Sequence, residues 1–145
     1  MQIKSKIQPE VRFYQGKRGL KIVLEEGLEE RNEILALSST EDIFDTLEFY
    51  FPKFVQKRIK RKIPIRTIFR DSPKARERKA LGKEQLRKAK LLPKEYEFHG
   101  AIALWKNKVA MLSLKKELSA LVVTSEETSQ TWRALFNYIW DSLPE

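Results

Sequence analysis

The chain has 145 residues, no cysteine and one histidine, and its 29 basic and 20 acidic side chains give a formal charge of +9. The missing cysteines exclude disulfides, thiolate zinc sites and cysteine nucleophiles, and a single histidine leaves no ordinary histidine-rich metal cluster. Because 41% of the residues are apolar, the chain can bury a core, and its length suits one domain over residues 1–145. We expect no metal and no other cofactor.

The excess positive charge lies in the middle of the chain. Residues 51–90 hold 16 basic and 3 acidic side chains, whereas the segments on either side each carry a small negative charge. Basic runs at residues 57–62 and 74–90 either form a solvated surface or meet phosphates. No aromatic residue lies between Phe69 and Tyr96, which disfavours a single-strand binder. Candidate nucleic-acid contacts are Lys57, Arg58, Lys60, Arg61 and Lys62.

The N-terminus is basic but has no apolar stretch behind it, so it does not resemble a secretory signal. Apolar runs such as residues 101–105 fall far short of the length that spans a bilayer. We therefore expect a cytoplasmic protein without a membrane partner.

The first half of the chain predicts alternating strands and helices. A short strand at residues 11–14 precedes a helix at about 18–30, where leucine and valine recur at helical spacing. The continuous apolar run at residues 34–37 is typical of a parallel strand buried on both faces. A capped helix then begins near Thr40, and Pro52 is expected to kink or divide it because proline lacks an amide donor.

The second half predicts a strand, a polar helix and a group of short strands. Residues 63–69 alternate as a strand, and Ser72-Pro73 begins a helix that we expect to run along the basic segment as the least firmly packed element. Lys106-Asn107 fits a two-residue hairpin turn. The remaining strands are predicted at residues 95–98, 101–105, 109–114 and 119–123.

The last element is predicted to be a core helix. Thr124 and Glu127 have the spacing of a capping box at its start. An aromatic stripe can form a partner surface, but packing against the sheet is the simpler interpretation. The fold class is therefore α/β, a mixed sheet with helices on both faces. The stripe consists of Trp132, Leu135, Phe136, Ile139, Trp140 and Leu143.

The lone histidine stands in a frame that suggests phosphoryl chemistry. His99 is followed at the appropriate spacing by Ala101 and Lys106, where phospholipase D-type enzymes have His-x-Lys-x4-Asp. In that chemistry the histidine attacks phosphorus and the lysine holds phosphoryl oxygens. Alanine cannot donate a hydrogen bond and lysine has the wrong charge to replace aspartate, so we expect no catalysis by this route.

Five segments, taken in order, carry a resemblance that runs over nearly the whole chain: Pro9 to Gly16, Gly19-Leu20, Ile63 to Arg66, Leu92 to Ser113, and Thr131 to Trp140. Together they resemble the C-terminal domain of TrmB-family transcriptional regulators. The resemblance implies a catalytically inert half of a phospholipase D-like fold, joined through a linker helix to an N-terminal winged-helix DNA-binding domain. Because too few residues precede Pro9 for that domain, we expect DNA to be bound by a domain outside this chain. The chain itself is then either a fragment of a longer regulator or a stand-alone homologue.

The leading hypothesis is a non-enzymatic effector-sensing and dimerisation domain. A ligand that binds one arrangement of a homodimer better than another would shift the spacing of attached DNA-binding domains. We expect this effector to be a small molecule or anion at the strand ends near the histidine, although the same side chains could merely satisfy backbone groups or be solvated. The candidate residues are His99, Lys106, Ser113, Arg66 and Arg70.

Two alternatives remain open. The first is a nucleic-acid-binding module that uses the basic region at residues 57–90 to contact the phosphate backbone. The second is a phosphodiesterase, which Ala101 and Lys106 in the catalytic frame disfavour.

Overall fold

The computed structural model describes residues 8–145, which fold into seven strands and five helices. The strands are β1 (Glu10–Gln15), β2 (Ile34–Ser38), β3 (Ile65–Arg70), β4 (Arg87–Leu92), β5 (Gly100–Trp105), β6 (Lys108–Ser113) and β7 (Ser119–Thr124). The helices are α1 (Gly16–Glu29), α2 (Thr40–Thr46), α3 (Phe51–Lys60), α4 (Pro73–Ala80) and α5 (Glu126–Ser142).

All seven strands belong to one mixed sheet in the order β1-β7-β6-β5-β2-β3-β4. Parallel pairing is confined to β2, β3 and β4, whereas the other neighbours are antiparallel. The predicted mixed α/β sheet is confirmed. The first strand, β1, lies at one edge of the sheet, where Phe13 is opposite Leu121 of β7.

Helices cover both faces of this sheet, and each face has its own core. On one face, α1 and α3 pack Leu20, Val23 and Phe54 against strand residues such as Val122. On the other face, α5 packs Phe136 against β2, β3, β5 and β6, and the predicted aromatic stripe supplies half of the partly buried apolar residues around this core. The expected core helix is confirmed.

Proline divides the second helical segment as predicted. The α2 helix ends at Thr46, and Pro52 occupies the first turn of α3, where its missing amide costs nothing. The hairpin turn at Lys106-Asn107 is also present, with Lys106 in the left-handed region at φ 51°.

The helix predicted along the basic segment at residues 74–90 is wrong beyond Ala80, because the chain turns at Gly82 and then forms β4. A side chain at Gly82 would place its Cβ 2.5 Å from the Arg87 carbonyl oxygen, so this close turn requires glycine. The sequence pattern did not indicate β4 because the strand is rich in basic residues. Lys90 is buried because its ammonium group reaches over the Trp140 ring and donates to the Trp140 carbonyl oxygen at 2.8 Å.

Two smaller predictions are also wrong. Residues 95–98 form no strand, because a turn closes between the Tyr96 amide and the Pro93 carbonyl oxygen. The cap of α5 is Ser125, whose hydroxyl accepts from the Thr128 amide at 3.1 Å, whereas Thr124 still belongs to β7.

Candidate functional site

The candidate site lies at the sheet edge where β2 and β3 end and β5 begins. His99 directly precedes β5, and Gly100 pairs with Ser113 at the end of β6. Parallel strands that end at the same edge, beside an antiparallel neighbour, bring loop residues from distant parts of the chain together. The loop after β2 therefore meets the loop before β5.

Both ring nitrogens of His99 contact carboxylates. Its Nδ1 lies 2.8 Å from the Asp42 Oδ2 atom, and its Nε2 lies 3.0 Å from the Glu97 Oε2 atom. Asp42 stands in the first turn of α2, where the helix dipole favours its negative charge. The histidine is therefore held in one orientation by two acids.

Backbone contacts fix the same edge. Both the amide and the hydroxyl of Ser39 donate to the Gly100 carbonyl oxygen, at 3.0 and 3.2 Å. The Leu114 amide donates to the His99 carbonyl oxygen at 3.1 Å. A side chain at Gly100 would place its Cβ 2.5 Å from the Leu112 carbonyl oxygen, so the approach of β5 to β6 leaves room only for glycine there.

Three of the five predicted effector residues reach this edge. Ser113 lies beside Gly100, and Arg70 ends β3, where its Nε donates to the Lys94 carbonyl oxygen at 2.9 Å. Together with His99 they lie at the same end of the sheet, on three different parts of the chain.

The structure places the other two effector candidates elsewhere. Lys106 follows the opposite end of β5, where its ammonium group lies 3.2 Å from a Glu30 oxygen. Arg66 faces α5, with its guanidinium 5.6 Å from the Phe136 ring centroid and 5.5 Å from the Trp140 ring centroid. The phospholipase-like frame therefore does not converge in space, because Lys106, its last position, lies at the opposite end of β5 from His99.

One of the predicted nucleic-acid contacts is wrong. Arg58 is 1% exposed, and its guanidinium donates to the carbonyl oxygens of Ile63 and Gln85 at 2.8 and 2.7 Å. A buried side chain cannot meet a phosphate backbone. The reason is its position on α3, because the last turn of this helix points Arg58 towards the core while its charged neighbours remain outside.

The other members of the 57–62 run lie at or near the surface. The Lys57 ammonium pairs with Glu25 at 3.0 Å, and the Arg61 guanidinium donates to the Leu28 carbonyl oxygen at 3.4 Å. Lys60 and Lys62 are exposed and form no ion pair with any residue from 8 to 145.

An apolar cavity under α3 was not predicted from the sequence. It measures about 80 Å³ and is lined by residues such as Phe54 and Leu112, with three arginines in its wall, Arg58, Arg78 and Arg87. The sequence offered only the clustering of basic residues, which could not show which of them point inwards.

Solved structures with this architecture were found. The chain superposes on TrmBL2, described as an archaeal chromatin protein with a novel mode of DNA binding, with a TM-score of 0.66 and 15% identity. The match covers 97% of this chain and 55% of that chain. NucT from Helicobacter pylori superposes with a TM-score of 0.63 and 13% identity over 94% of this chain and 98% of that one.

This chain has the fold of those two proteins. The resemblance to the C-terminal domain of TrmB-family regulators is thereby confirmed at the level of the fold. This chain spans about half the length of the TrmBL2 chain. No family model and no curated protein matches the sequence. Within residues 8–145, no helix combines the length and the apolar character needed to cross a bilayer.

Proposed function

We propose that this chain is a non-enzymatic effector-sensing and dimerisation domain of a TrmB-like transcriptional regulator. The observation that carries this proposal is the similarity in fold to TrmBL2 over 97% of the chain. TrmBL2 is described as a DNA-binding chromatin protein, and a regulatory or DNA-linked role fits the fold. In this proposal DNA is bound by a winged-helix domain outside these residues, in the cytoplasm.

The surroundings of His99 support the proposed absence of catalysis. A nucleophilic histidine needs a free nitrogen aimed at phosphorus and a cation to hold the phosphoryl oxygens. Here both nitrogens contact carboxylates, Ala101 stands where the lysine is required, and Lys106 lies at the opposite end of β5.

The effector in this proposal is a small polar or anionic molecule at the sheet edge. Arg70 supplies positive charge there and Ser113 supplies a hydroxyl, while His99 lies beside Ser113 with its two ring nitrogens on Asp42 and Glu97. An effector that prefers one arrangement of the homodimer would shift the population towards it in proportion to its differential affinity. Arg66 and Lys106 have no part in this site.

Dimerisation and inertness are tested on the purified chain. Light scattering coupled to size exclusion is expected to give twice the monomer mass of 17.1 kDa. A generic phosphodiester such as bis-nitrophenyl phosphate is expected to show no turnover. A monomer at all concentrations, or turnover that disappears in His99→Ala, would overturn the proposal.

The alternative function is contact with a nucleic-acid backbone through the surface members of the basic run. Its support is the exposure of Lys60 and Lys62 without an acidic partner among the described residues. Such binding depends little on base sequence and falls steeply with salt, because each neutralised phosphate releases counterions. Lys57 and Arg61 would add charge at the same surface.

A salt titration on a short duplex separates the two functions. If this chain itself binds DNA, fluorescence anisotropy will show a complex at low ionic strength, and Lys60→Gln with Lys62→Gln will weaken it. The matched control is Lys115→Gln with Lys116→Gln, which removes the same charge from exposed lysines in the turn between β6 and β7. No complex at low ionic strength, or equal losses in both double variants, contradicts the alternative.

A further inference from the structure

Three arginines from three different elements meet beneath α3. Arg58 lies in the last turn of α3, Arg78 in α4, and Arg87 at the start of β4. Arg58 and Arg87 are 1% and 8% exposed. Within residues 8–145, no aspartate or glutamate forms an ion pair with any of the three.

Neutral oxygens orient these guanidinium groups. Arg78 and Arg87 share the side-chain oxygen of Gln85, at 2.6 and 2.9 Å, and Arg58 donates to the Gln85 carbonyl oxygen at 2.7 Å. These bonds satisfy some of the donors and fix their directions. They add no negative charge, so the cluster remains strongly cationic.

Such a cluster is costly to bury. Removing a charge from water costs several kcal/mol unless an opposite charge compensates it, and like charges add to that cost. Burial, followed by the charges of Arg58 and Arg78, lowers the pKa of Arg87 to about 9. Burial and the charge of Arg78 lower the pKa of Arg58 to about 10. A bound anion would relieve this unfavourable charge.

The space beside the cluster is apolar. The three arginines line the cavity of about 80 Å³, and the rest of its wall is mainly aliphatic and aromatic, with Phe54 and Val55 from α3 and Leu112 from β6. An engineered apolar cavity of about 150 Å³ accepts benzene, so this smaller space admits a short chain of a few carbons. Guanidinium groups match the planar geometry of a carboxylate through paired hydrogen bonds.

We propose that this cavity binds a small organic carboxylate, with its charged end against Arg58, Arg78 and Arg87 and its short apolar body beneath α3. Inorganic phosphate fits less well, because its charged oxygens on every side would meet the apolar wall. This site is distinct from the sheet edge at His99. The inference does not depend on a role in transcription.

The test is calorimetric titration of the chain with sodium butyrate, with sodium phosphate and sodium chloride as references at equal ionic strength. Butyrate is expected to bind saturably and at least tenfold more tightly than phosphate. Arg87→Gln is expected to weaken butyrate binding at least tenfold. Lys83→Gln removes the same charge from an exposed position and is expected to leave binding unchanged.

A second variant keeps the inference falsifiable if Arg87→Gln does not fold. Arg78 is only partly buried on α4, so Arg78→Gln should fold and should also weaken butyrate binding. Three results would overturn the inference: no saturable binding of butyrate, phosphate binding as tight as butyrate, or an equal loss in Lys83→Gln. None of these results bears on the dimer mass that tests the proposed function.

Discussion

His99 and Asp42 join the loop before β5 to the first turn of α2, because the histidine Nδ1 lies 2.8 Å from the aspartate Oδ2. The aspartate is the more buried partner, with its side chain 17% exposed. Hydrogen bonds to a charged group in a partly buried setting contribute more than exposed pairs do. This contact therefore stabilises the sheet edge and also engages the Nδ1 atom of His99.

Replacement of Asp42 is expected to destabilise the fold. Asp42→Ala removes the hydrogen bond to His99 and the favourable charge at the start of α2, so the free energy of unfolding should fall by about 1–2 kcal/mol. Urea denaturation measures this loss in the free energy of unfolding. Glu97→Ala removes the more exposed contact to the same ring and should cost at most about 0.5 kcal/mol. Equal losses in the two variants would show that α2 is not anchored through this histidine.

Two glycines offer a matched test of close packing. A methyl group at Gly100 would lie 2.5 Å from the Leu112 carbonyl oxygen, so β5 and β6 must separate, and Gly100→Ala should cost about 1–3 kcal/mol. At Gly27, inside α1, the nearest atoms of the Trp105 ring lie 3.9 Å away. Gly27→Ala should therefore stabilise the chain by up to about 1 kcal/mol through helix propensity.

Thermal unfolding followed by circular dichroism compares the two glycine variants. The expected result is a lower midpoint for Gly100→Ala and an unchanged or higher midpoint for Gly27→Ala. If Gly100→Ala is as stable as the unmodified chain, the close approach of β5 and β6 is not a constraint on this edge.

The fold was predictable where apolar periodicity was strong. The run at residues 34–37 and the aromatic stripe of α5 determined a buried strand and a core helix, since each must cover a large apolar surface. The pattern failed at β4, because Arg87, Lys88 and Lys90 continue the basic run of α4 and give the strand the composition of a solvated helix. Only the tertiary contact of Lys90 with Trp140 shows why a lysine can lie in that strand.

The candidate site was only partly predictable for a related reason. Spacing along one strand showed that His99 and Lys106 flank β5, but a strand of six residues separates its ends by about 20 Å. The partners of His99 come from α2 and from the preceding loop. Sequence proximity could not reveal Asp42, which lies 57 residues away along the chain.

Glu25 is expected to contribute stability that depends on pH. The hydroxyl of Tyr50 donates to its carboxylate, and this hydrogen bond, reinforced by Lys57, lowers the pKa of Glu25 in the folded chain. A lowered folded pKa stabilises the fold above the unfolded value of about 4.3, and the contribution is lost as pH falls through the lowered value. Tyr50→Phe should therefore destabilise the chain at pH 7 and lose that effect in acid.

Urea denaturation at pH 7 and at pH 3 measures this dependence as the difference between Tyr50→Phe and the unmodified chain. Tyr138→Phe is the control, because that ring is exposed on α5 and should show no difference at either pH. A Tyr50→Phe deficit that is as large at pH 3 as at pH 7 would mean that the hydroxyl acts through packing and not through the charge of Glu25.

The start of α5 allows the cap to be assigned by mutation. The Ser125 hydroxyl accepts from the Thr128 amide at 3.1 Å, so Ser125→Ala should lower the free energy of unfolding by about 1 kcal/mol. The neighbouring Thr124 hydroxyl is buried and has no hydrogen-bond partner in the described part of the chain. Thr124→Val keeps its shape and removes an unsatisfied polar atom, so it should be neutral or stabilising. A larger loss of unfolding free energy for Thr124→Val than for Ser125→Ala, measured by urea denaturation, would show that Thr124 is the cap, as the sequence pattern predicts.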